Sequence, residues 1–130
     1  MAHQFQKHYS REEARSLLPK IREWLRRLDH FRERLHRAEQ ALNSLRGGGG
    51  EDLGGEAANT WVRLMLEMRT VLLEFYRRDI LIKDAERGLI DFPALIGGRE
   101  VFLCWEKDED DIEFWHDLDS GYAGRERLEE

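Results

Sequence analysis

Cysteine is nearly absent from this sequence, which has one cysteine in 130 residues. A single cysteine excludes an internal disulfide and any zinc site built from several cysteines. The sequence also lacks an apolar run of the ~18 residues that a membrane span requires. Its first ten residues, MAHQFQKHYS, lack the apolar segment of a secretory signal. We therefore predict a cytoplasmic protein that does not enter a membrane.

The composition is that of a folded protein. Charged residues make up 37% of the chain, and hydrophobic residues still make up 41%. A disordered chain of this charge would have far fewer apolar and aromatic residues. A length of 130 residues is enough for one hydrophobic core and too short for two. The sequence predicts a single domain over residues 1–130.

Charge is divided unevenly along the chain. Residues 1–46 have 11 Lys and Arg against 6 Asp and Glu, whereas residues 47–130 have 10 against 21. A basic helix can bind nucleic acid, but an acidic remainder on the same small domain repels phosphate. The distribution therefore disfavours nucleic-acid binding. It predicts that the two halves attract each other, within one chain or across a dimer.

The first predicted element is a long helix over residues 10–46. Ser10 can cap its start, because Glu13 stands three residues later and can return a hydrogen bond to the cap amide. Apolar residues then recur at alternating steps of four and three, the spacing of a helix that packs along one seam. These residues are Leu17, Ile21, Trp24, Leu28, Phe31, Leu35, Ala38, Leu42 and Leu45. Pro19 removes one helical hydrogen bond within this pattern, so we expect a kink or a break there.

A glycine-rich segment over residues 47–56 follows, with six glycines within nine residues, and predicts a flexible loop. The second helix is predicted over residues 57–78 and carries apolar residues on two faces. One antiparallel partner cannot cover both faces. In addition, a first helix of about 36 residues would span about 54 Å and extend beyond the second. We therefore predict a homodimer that forms through the helices.

The residues after Arg78 predict a small antiparallel meander over 80–117. Its four strands are predicted at 80–84, 89–92, 101–105 and 112–116. The first strand has an alternative, because ILIKDAER can also continue the second helix to Arg87 and leave three strands. Residues 118–130 are predicted as a loop and tail. The fold class is therefore α+β, a long antiparallel helical hairpin followed by a β-meander of three to four strands.

Four strings carry a resemblance to a known family: EEARSLLP, KDAERGLIDFP, GREVFLCW and FWHDLDSGYAGR. Together they resemble an uncharacterised prokaryotic family, number 2203 among the domains of unknown function. The resemblance covers nearly the whole chain and implies a small bacterial or archaeal intracellular protein, without any catalytic assignment. The residues that it singles out are Asp84, Gly88, Asp91, Pro93, Gly98, Arg99, Cys104, Trp105, Trp115, His116, Gly121, Gly124 and Arg125. The sequence departs from the family pattern in a longer acidic turn at 107–111 and in Arg127, where proline is common.

The length of the acidic turn decides which side chains of the last hairpin share a face, because side chains alternate between the faces of a sheet. A two-residue turn at 108–109 places Cys104 and His116 on opposite faces. A three-residue turn at 108–110 pairs Phe102 with His116. Cys104 and His116 are then diagonal neighbours, about 7 Å or less apart at Cβ. The sequence leaves both registers open.

The second register permits a thiol enzyme. His116 would lower the pKa of Cys104 and act as its base. Asp117 or Asp119 would orient the imidazole. The catalytic candidates are therefore Cys104, His116 and Asp119. The run VFLCW nevertheless has the composition of a buried strand, and free cysteines in such runs are usually inert.

A metal site is the second chemical hypothesis, because imidazole and carboxylate ligands occur together near the strand ends. The candidate ligands are His116, Asp117, Asp119, Asp84 and Asp91. Their spacing is not diagnostic, since solvated carboxylates are common at an acidic strand end. The sequence assigns no cofactor.

The segment HDLDSGYAGRERL supplies candidate binding groups, because loops that project from a rigid sheet often carry recognition residues. The candidate binding residues are Trp105, Trp115, Tyr122, Arg125 and Arg99. In the alternative arrangement, Tyr122 packs over the sheet and Arg125 pairs with a nearby carboxylate. We therefore predict a non-catalytic binding or protein-interaction module. The alternative is an enzyme or metal-binding protein that uses Cys104, His116 and Asp119.

Overall fold

Two helices precede one antiparallel sheet in the computed structural model, which describes residues 3–45 and 53–129. The helices are α1, Arg11–Leu45, and α2, Leu53–Tyr76. The strands are β1, Leu81–Asp84, β2, Leu89–Ile96, β3, Arg99–Glu106, β4, Phe114–Asp117, and β5, Glu126–Arg127. The sheet has the order β1-β2-β3-β4-β5, so each strand pairs with the next one along the chain. The α+β prediction is confirmed, with five strands in the described residues instead of three or four.

The start of α1 is capped as the sequence predicts. Ser10 Oγ accepts a hydrogen bond from the Glu13 amide at 3.0 Å, and the Glu13 carboxylate accepts one from the Ser10 amide at 3.1 Å. The helix then continues through Pro19 without a break. An interior proline costs about 3 kcal/mol, but the buried side chains of Leu18 and Ile21 on either side hold the helix against the core. Burial of two such side chains offsets a cost of this size.

The second helix begins and ends a few residues earlier than predicted. It starts at Leu53, so residues 53–56 of the predicted glycine-rich loop are helical, and residues 46–52 lie outside the described part of the chain. At its other end Asp79 has a left-handed φ of 58°, and the Ile80 amide donates back to the Phe75 carbonyl. This backbone turns the chain into β1. The alternative in which the second helix continues to Arg87 is therefore wrong.

The two faces of the sheet have different surroundings. Alternate residues of β2 and β3 belong to the same buried cluster as the apolar seam of α1. These core residues are Ile90, Phe92, Ala94, Val101, Leu103 and Trp105. The intervening residues point away from the helices, because side chains alternate along a strand. This second face, which we call the outer face, carries Asp91, Phe102 and Cys104.

Basic side chains of α1 hold the acidic connection between β3 and β4. Arg15 forms an ion pair with Asp111, with Nε 2.7 Å from the carboxylate. Arg11 donates to the Ile112 carbonyl at 2.7 Å, and Arg22 donates to the Glu109 carbonyl at 2.9 Å. The attraction that the sequence predicts between its basic and acidic halves is thus present within one chain. These contacts fix the connection against the helix, and the pairing of β3 with β4 begins beyond it, at Cys104 and Phe114.

Apolar residues remain exposed on one side of α2. Val62, Met65, Leu66 and Leu72 are all at least 40% exposed. Their spacing follows a helical seam, and the predicted homodimer would cover them. The dimer stays a prediction. No helix within the described residues is long and apolar enough to cross a membrane.

Candidate functional site

Three neighbouring strands place an aspartate, a cysteine and a histidine together on the outer face. Asp91 of β2 pairs directly with Cys104 of β3. In the next pair of strands, Cys104 is opposite Phe114 and Phe102 is opposite His116. The register of the three-residue turn is therefore confirmed, and Cys104 and His116 share a face. Their ligand-forming atoms and that of Asp91 all lie within 4.8 Å of one another.

Burial separates this cluster from ordinary surface carboxylates. Asp91 and Cys104 are each 1% exposed, and His116 is 2% exposed. Polar groups are costly to bury unless they are paired. The cluster satisfies this requirement internally, since His116 lies between Asp91 and a backbone carbonyl. We call Asp91, Cys104 and His116 the polar triad.

The two ring nitrogens of His116 have different partners. Nδ1 is 2.8 Å from the carbonyl oxygen of Asp117, which can only accept a hydrogen bond, so Nδ1 carries a hydrogen. Nε2 is 3.0 Å from both carboxylate oxygens of Asp91. A lone pair on Nε2 facing an ionised carboxylate would be repelled. A proton or another cation must therefore lie between His116 and Asp91.

The electrostatic environment keeps Cys104 protonated. Burial, followed by the neighbouring charge of Asp91, raises the pKa of the Cys104 thiol to about 12. Burial also raises the pKa of Asp91, although the attraction of His116 opposes that change. The expected lowering of the Cys104 pKa by His116 is therefore wrong. The imidazole is engaged with Asp91, and desolvation outweighs any attraction for a thiolate.

A small pocket of about 150 Å³ opens above the polar triad. The loop Ser120–Tyr122 lies across it, and Lys83 lines its side. The ammonium of Lys83 also stands 5.4 Å from the ring centre of Phe102 on the same face. The pocket thus combines three buried polar groups with one cationic side chain.

Tyr122 is held over the pocket by two arginines. The guanidinium groups of Arg87 and Arg125 lie 4.5 and 4.6 Å from its ring centre. Arg125 is itself 3.8 Å from the Phe114 ring and donates to both carboxylate oxygens of Glu109 at 2.7 and 2.8 Å. The arrangement in which Tyr122 packs over the sheet and Arg125 pairs with a carboxylate is the one found.

Most of the sequence matches the model of a known family. The family described as Uncharacterized conserved protein (DUF2203) matches residues 7–128, a range that includes both helices and all five strands. The chain belongs to this family. The resemblance carried by the four sequence strings is confirmed. No curated protein and no solved structure matches the chain significantly.

Other candidate ligands of this DUF2203 protein stand away from the polar triad. Asp117 forms an ion pair with Arg99, and Asp119 is exposed in an open groove beside them. Asp84 accepts a hydrogen bond from the Arg87 amide in the turn after β1. Asp117 follows His116 on the strand, so its side chain points to the opposite face. The structure does not bring these three aspartates to His116, and Asp91 is the carboxylate that contacts its imidazole.

Both tryptophans proposed as binding residues lie outside the pocket. Trp105 is fully buried in the core, where its indole donates to the Glu109 carbonyl at 2.9 Å. Trp115 is half-buried against the same core, with the Arg99 guanidinium 5.7 Å from its ring centre. Of the five candidate binding residues, Tyr122 is the one that lines the pocket.

Asp91 and His116 are both among the candidate ligands that the sequence predicts, but their direct contact and the place of Lys83 were not predicted. A signal for the first was present, because Asp91 stands inside the apolar strand LIDFPALI. A carboxylate in such a strand needs a partner when the strand is buried on both faces. The identity of that partner depends on strand order and register, which a single strand does not reveal.

A second cluster of metal-ligating residues lies near the N-terminus and is more exposed. It contains His3, His8 and Glu100. The His8 ring stands 2.6 Å from the Glu100 carboxylate, which also accepts hydrogen bonds from the amides of Gln4 and Phe5. These contacts fasten the N-terminal segment to β3. Glu100 therefore has a structural role.

Proposed function

We propose that this DUF2203 protein is a cytoplasmic, non-catalytic binding protein whose ligand occupies the pocket over the polar triad. The observation that carries the proposal is the convergence of Asp91, Cys104 and His116, all buried, on one pocket of about 150 Å³. A fold that needs only stability would gain more from apolar residues at these positions. A protonated free thiol among the binding groups also fits a reducing compartment.

The geometry favours binding over thiol catalysis. A thiol enzyme needs a thiolate and a base directed at it. Here the Cys104 pKa is raised to about 12, and both ring nitrogens of His116 are engaged by oxygen atoms. The polar triad therefore offers fixed recognition groups and lacks an activated nucleophile.

The loop over the pocket supplies the entrance. Gly121 and Gly124 flank the segment that carries Tyr122. A Cβ placed on Gly121 would have no neighbouring atom within 4 Å, so the loop is loosely packed at this position. Tyr122 is 40% exposed and is held by cation–π contacts, which are weak enough to break reversibly. Ligand entry is expected to displace Tyr122 while the strands below stay in place.

NMR titration of isotopically labelled protein tests the proposal. The probes are zinc chloride, sodium acetate and sodium phosphate, added separately to protein free of metal. At least one is expected to shift the amide signals of residues 116–124 and of Cys104, while signals from α1 near Leu28 stay unchanged. The variant Tyr122→Ala should bind the same probe through a more open entrance. If none of the three shifts the signals around the pocket at millimolar concentration, the proposed function is wrong.

A further inference from the structure

We propose that the polar triad is a binding site for a Zn²⁺-class transition-metal ion, with Asp91, Cys104 and His116 as its three protein ligands. The inference rests on the proposed binding function and names the chemical class of the ligand. One carboxylate oxygen, Sγ and Nε2 would coordinate the ion. Its fourth position would face the pocket that all three residues line.

The positions of the ligand atoms fit such an ion after small movements. The three atoms lie within 4.8 Å of one another, and Nε2 is 3.0 Å from the carboxylate. Metal–ligand distances of about 2.0 to 2.3 Å place the ligands of a tetrahedral zinc ion roughly 3.5 Å apart. The paired strands hold the three backbone positions in place. Rotation of the side chains can then bring the ligand atoms from their present separations to those of a zinc site. The pocket provides the room that a fourth ligand needs.

The orientation of His116 is the one that metal-binding histidines show. Such residues donate their second ring N–H to a carbonyl or carboxylate, which directs the other nitrogen at the metal. Nδ1 of His116 donates to the Asp117 carbonyl at 2.8 Å, so Nε2 faces Asp91. A divalent ion between them would satisfy both the imidazole lone pair and the carboxylate. It would take the place of the proton that this contact otherwise needs.

Charge balance also favours a divalent ion in this buried place. A thiolate, a carboxylate and a neutral imidazole together carry two negative charges, so a complex with Zn²⁺ is neutral. A neutral complex avoids the cost of an uncompensated charge in the protein interior. On binding, the thiol proton and the proton shared by His116 and Asp91 would pass to solvent. Sulfur and imidazole ligands select Zn²⁺ over Mg²⁺ or Ca²⁺, which prefer oxygen.

The N-terminal cluster of His3, His8 and Glu100 is the competing site within the described residues. Its carboxylate already accepts hydrogen bonds from two backbone amides and from His8. Its residues are more exposed than those of the polar triad, and it lacks sulfur. A histidine variant of this cluster therefore makes the matched control.

Titration of untagged, metal-free protein with Zn²⁺ and Co²⁺ tests the inference. Calorimetry is expected to show one Zn²⁺ per chain and no binding of Mg²⁺. Co²⁺ is expected to produce the near-ultraviolet charge-transfer band of a thiolate ligand. The variant Cys104→Ser should lose that band and bind Zn²⁺ at least about 100-fold more weakly. The controls Asp119→Asn and His3→Ala should keep the affinity and the band.

Two results of the Zn²⁺ and Co²⁺ titrations would overturn the metal assignment, and the NMR probes provide a separate check. The first is Co²⁺ binding to the unmodified protein without a thiolate band, a measurement that does not depend on how any variant folds. The second is a loss of Zn²⁺ affinity in His3→Ala that Cys104→Ser does not share. If acetate or phosphate shifts the pocket signals and Zn²⁺ does not, the metal assignment is wrong and the binding function stands. If all three probes fail, both are wrong.

Discussion

Nε2 of His116 lies 3.0 Å from both carboxylate oxygens of Asp91, across the strand that carries Cys104. This contact joins β2 to β4 through side chains, while backbone pairing joins each of them to β3. It also gives each of these two polar side chains, which are almost completely buried, a hydrogen-bonding partner. The pair therefore combines a structural role with the recognition role proposed above.

Removing one member of the pair should destabilise the fold. Asp91→Ala leaves His116 buried without a partner, so we expect the free energy of unfolding in metal-free protein to fall by about 3 to 5 kcal/mol. Asp119→Ala, an exposed aspartate after β4, should change it by less than about 0.5 kcal/mol. Urea unfolding followed by circular dichroism measures both. Equal losses in the two variants would contradict a stabilising role for the pair.

The thiol of Cys104 should react slowly while the protein is folded. Burial and the charge of Asp91 raise its pKa to about 12, so little thiolate exists at pH 7.5. We expect iodoacetamide to label folded, metal-free protein at least about 100-fold more slowly than protein unfolded in urea. Mass spectrometry of timed samples gives the two rates. Rapid labelling of the folded protein would favour the thiol enzyme instead.

The ion pair of Asp111 with Arg15 should make part of the stability depend on pH. The hydrogen bond from Arg15, with a smaller one from the Ile112 amide, lowers the pKa of Asp111. A lowered pKa in the folded state stabilises the protein above the unfolded pKa of about 3.9, and this contribution is lost as the pH falls through the folded value. Asp111→Asn is therefore expected to unfold at lower urea than the unmodified protein at pH 7. The difference should shrink below pH 4.

The neighbouring Asp110 provides the control for that measurement. Its side chain is exposed, and it immediately precedes Asp111 in the same connection. Asp110→Asn should shift the urea midpoint little at either pH, since exposed charges contribute little to stability. A pH-independent loss in Asp111→Asn would show that its carboxylate charge is not the cause.

The exposed apolar side of α2 should mediate the predicted homodimer. Met65 and Leu72 are seven residues apart on this side, and Leu66 is 58% exposed. A two-fold axis would place this surface against its own copy. We expect sedimentation to show a dimer at micromolar concentration and a monomer for Leu66→Glu, with Glu67→Lys, exposed on a different side of the helix, as the control that stays dimeric. A monomeric unmodified protein would refute the dimer.

Local patterns were sufficient to predict the helices and most of the strands. The seam of α1 and its cap at Ser10 depend on spacings of three and four residues. Residues at these spacings are neighbours on the surface of a helix. The runs of apolar, β-branched and aromatic residues around Phe92 and Leu103 likewise identify strands without knowledge of the strands that pair with them. Of the kink or break predicted at Pro19, the break is wrong, because the missing hydrogen bond is local, whereas the burial that holds the helix together comes from the whole core.

The sequence by itself determined the residue types of the site, since Cys104 and His116 were candidates from composition and position alone. Only the tertiary structure decided that they share a face, because this depends on the register in which β3 pairs with β4. The tertiary structure also places Asp91, and neither Asp117 nor Asp119, against the imidazole of His116. Adjacent residues of a strand, such as His116 and Asp117, point to opposite faces, while strand pairing brings residues that are distant in sequence together. Convergence of this kind is set by register and order, which no single segment encodes.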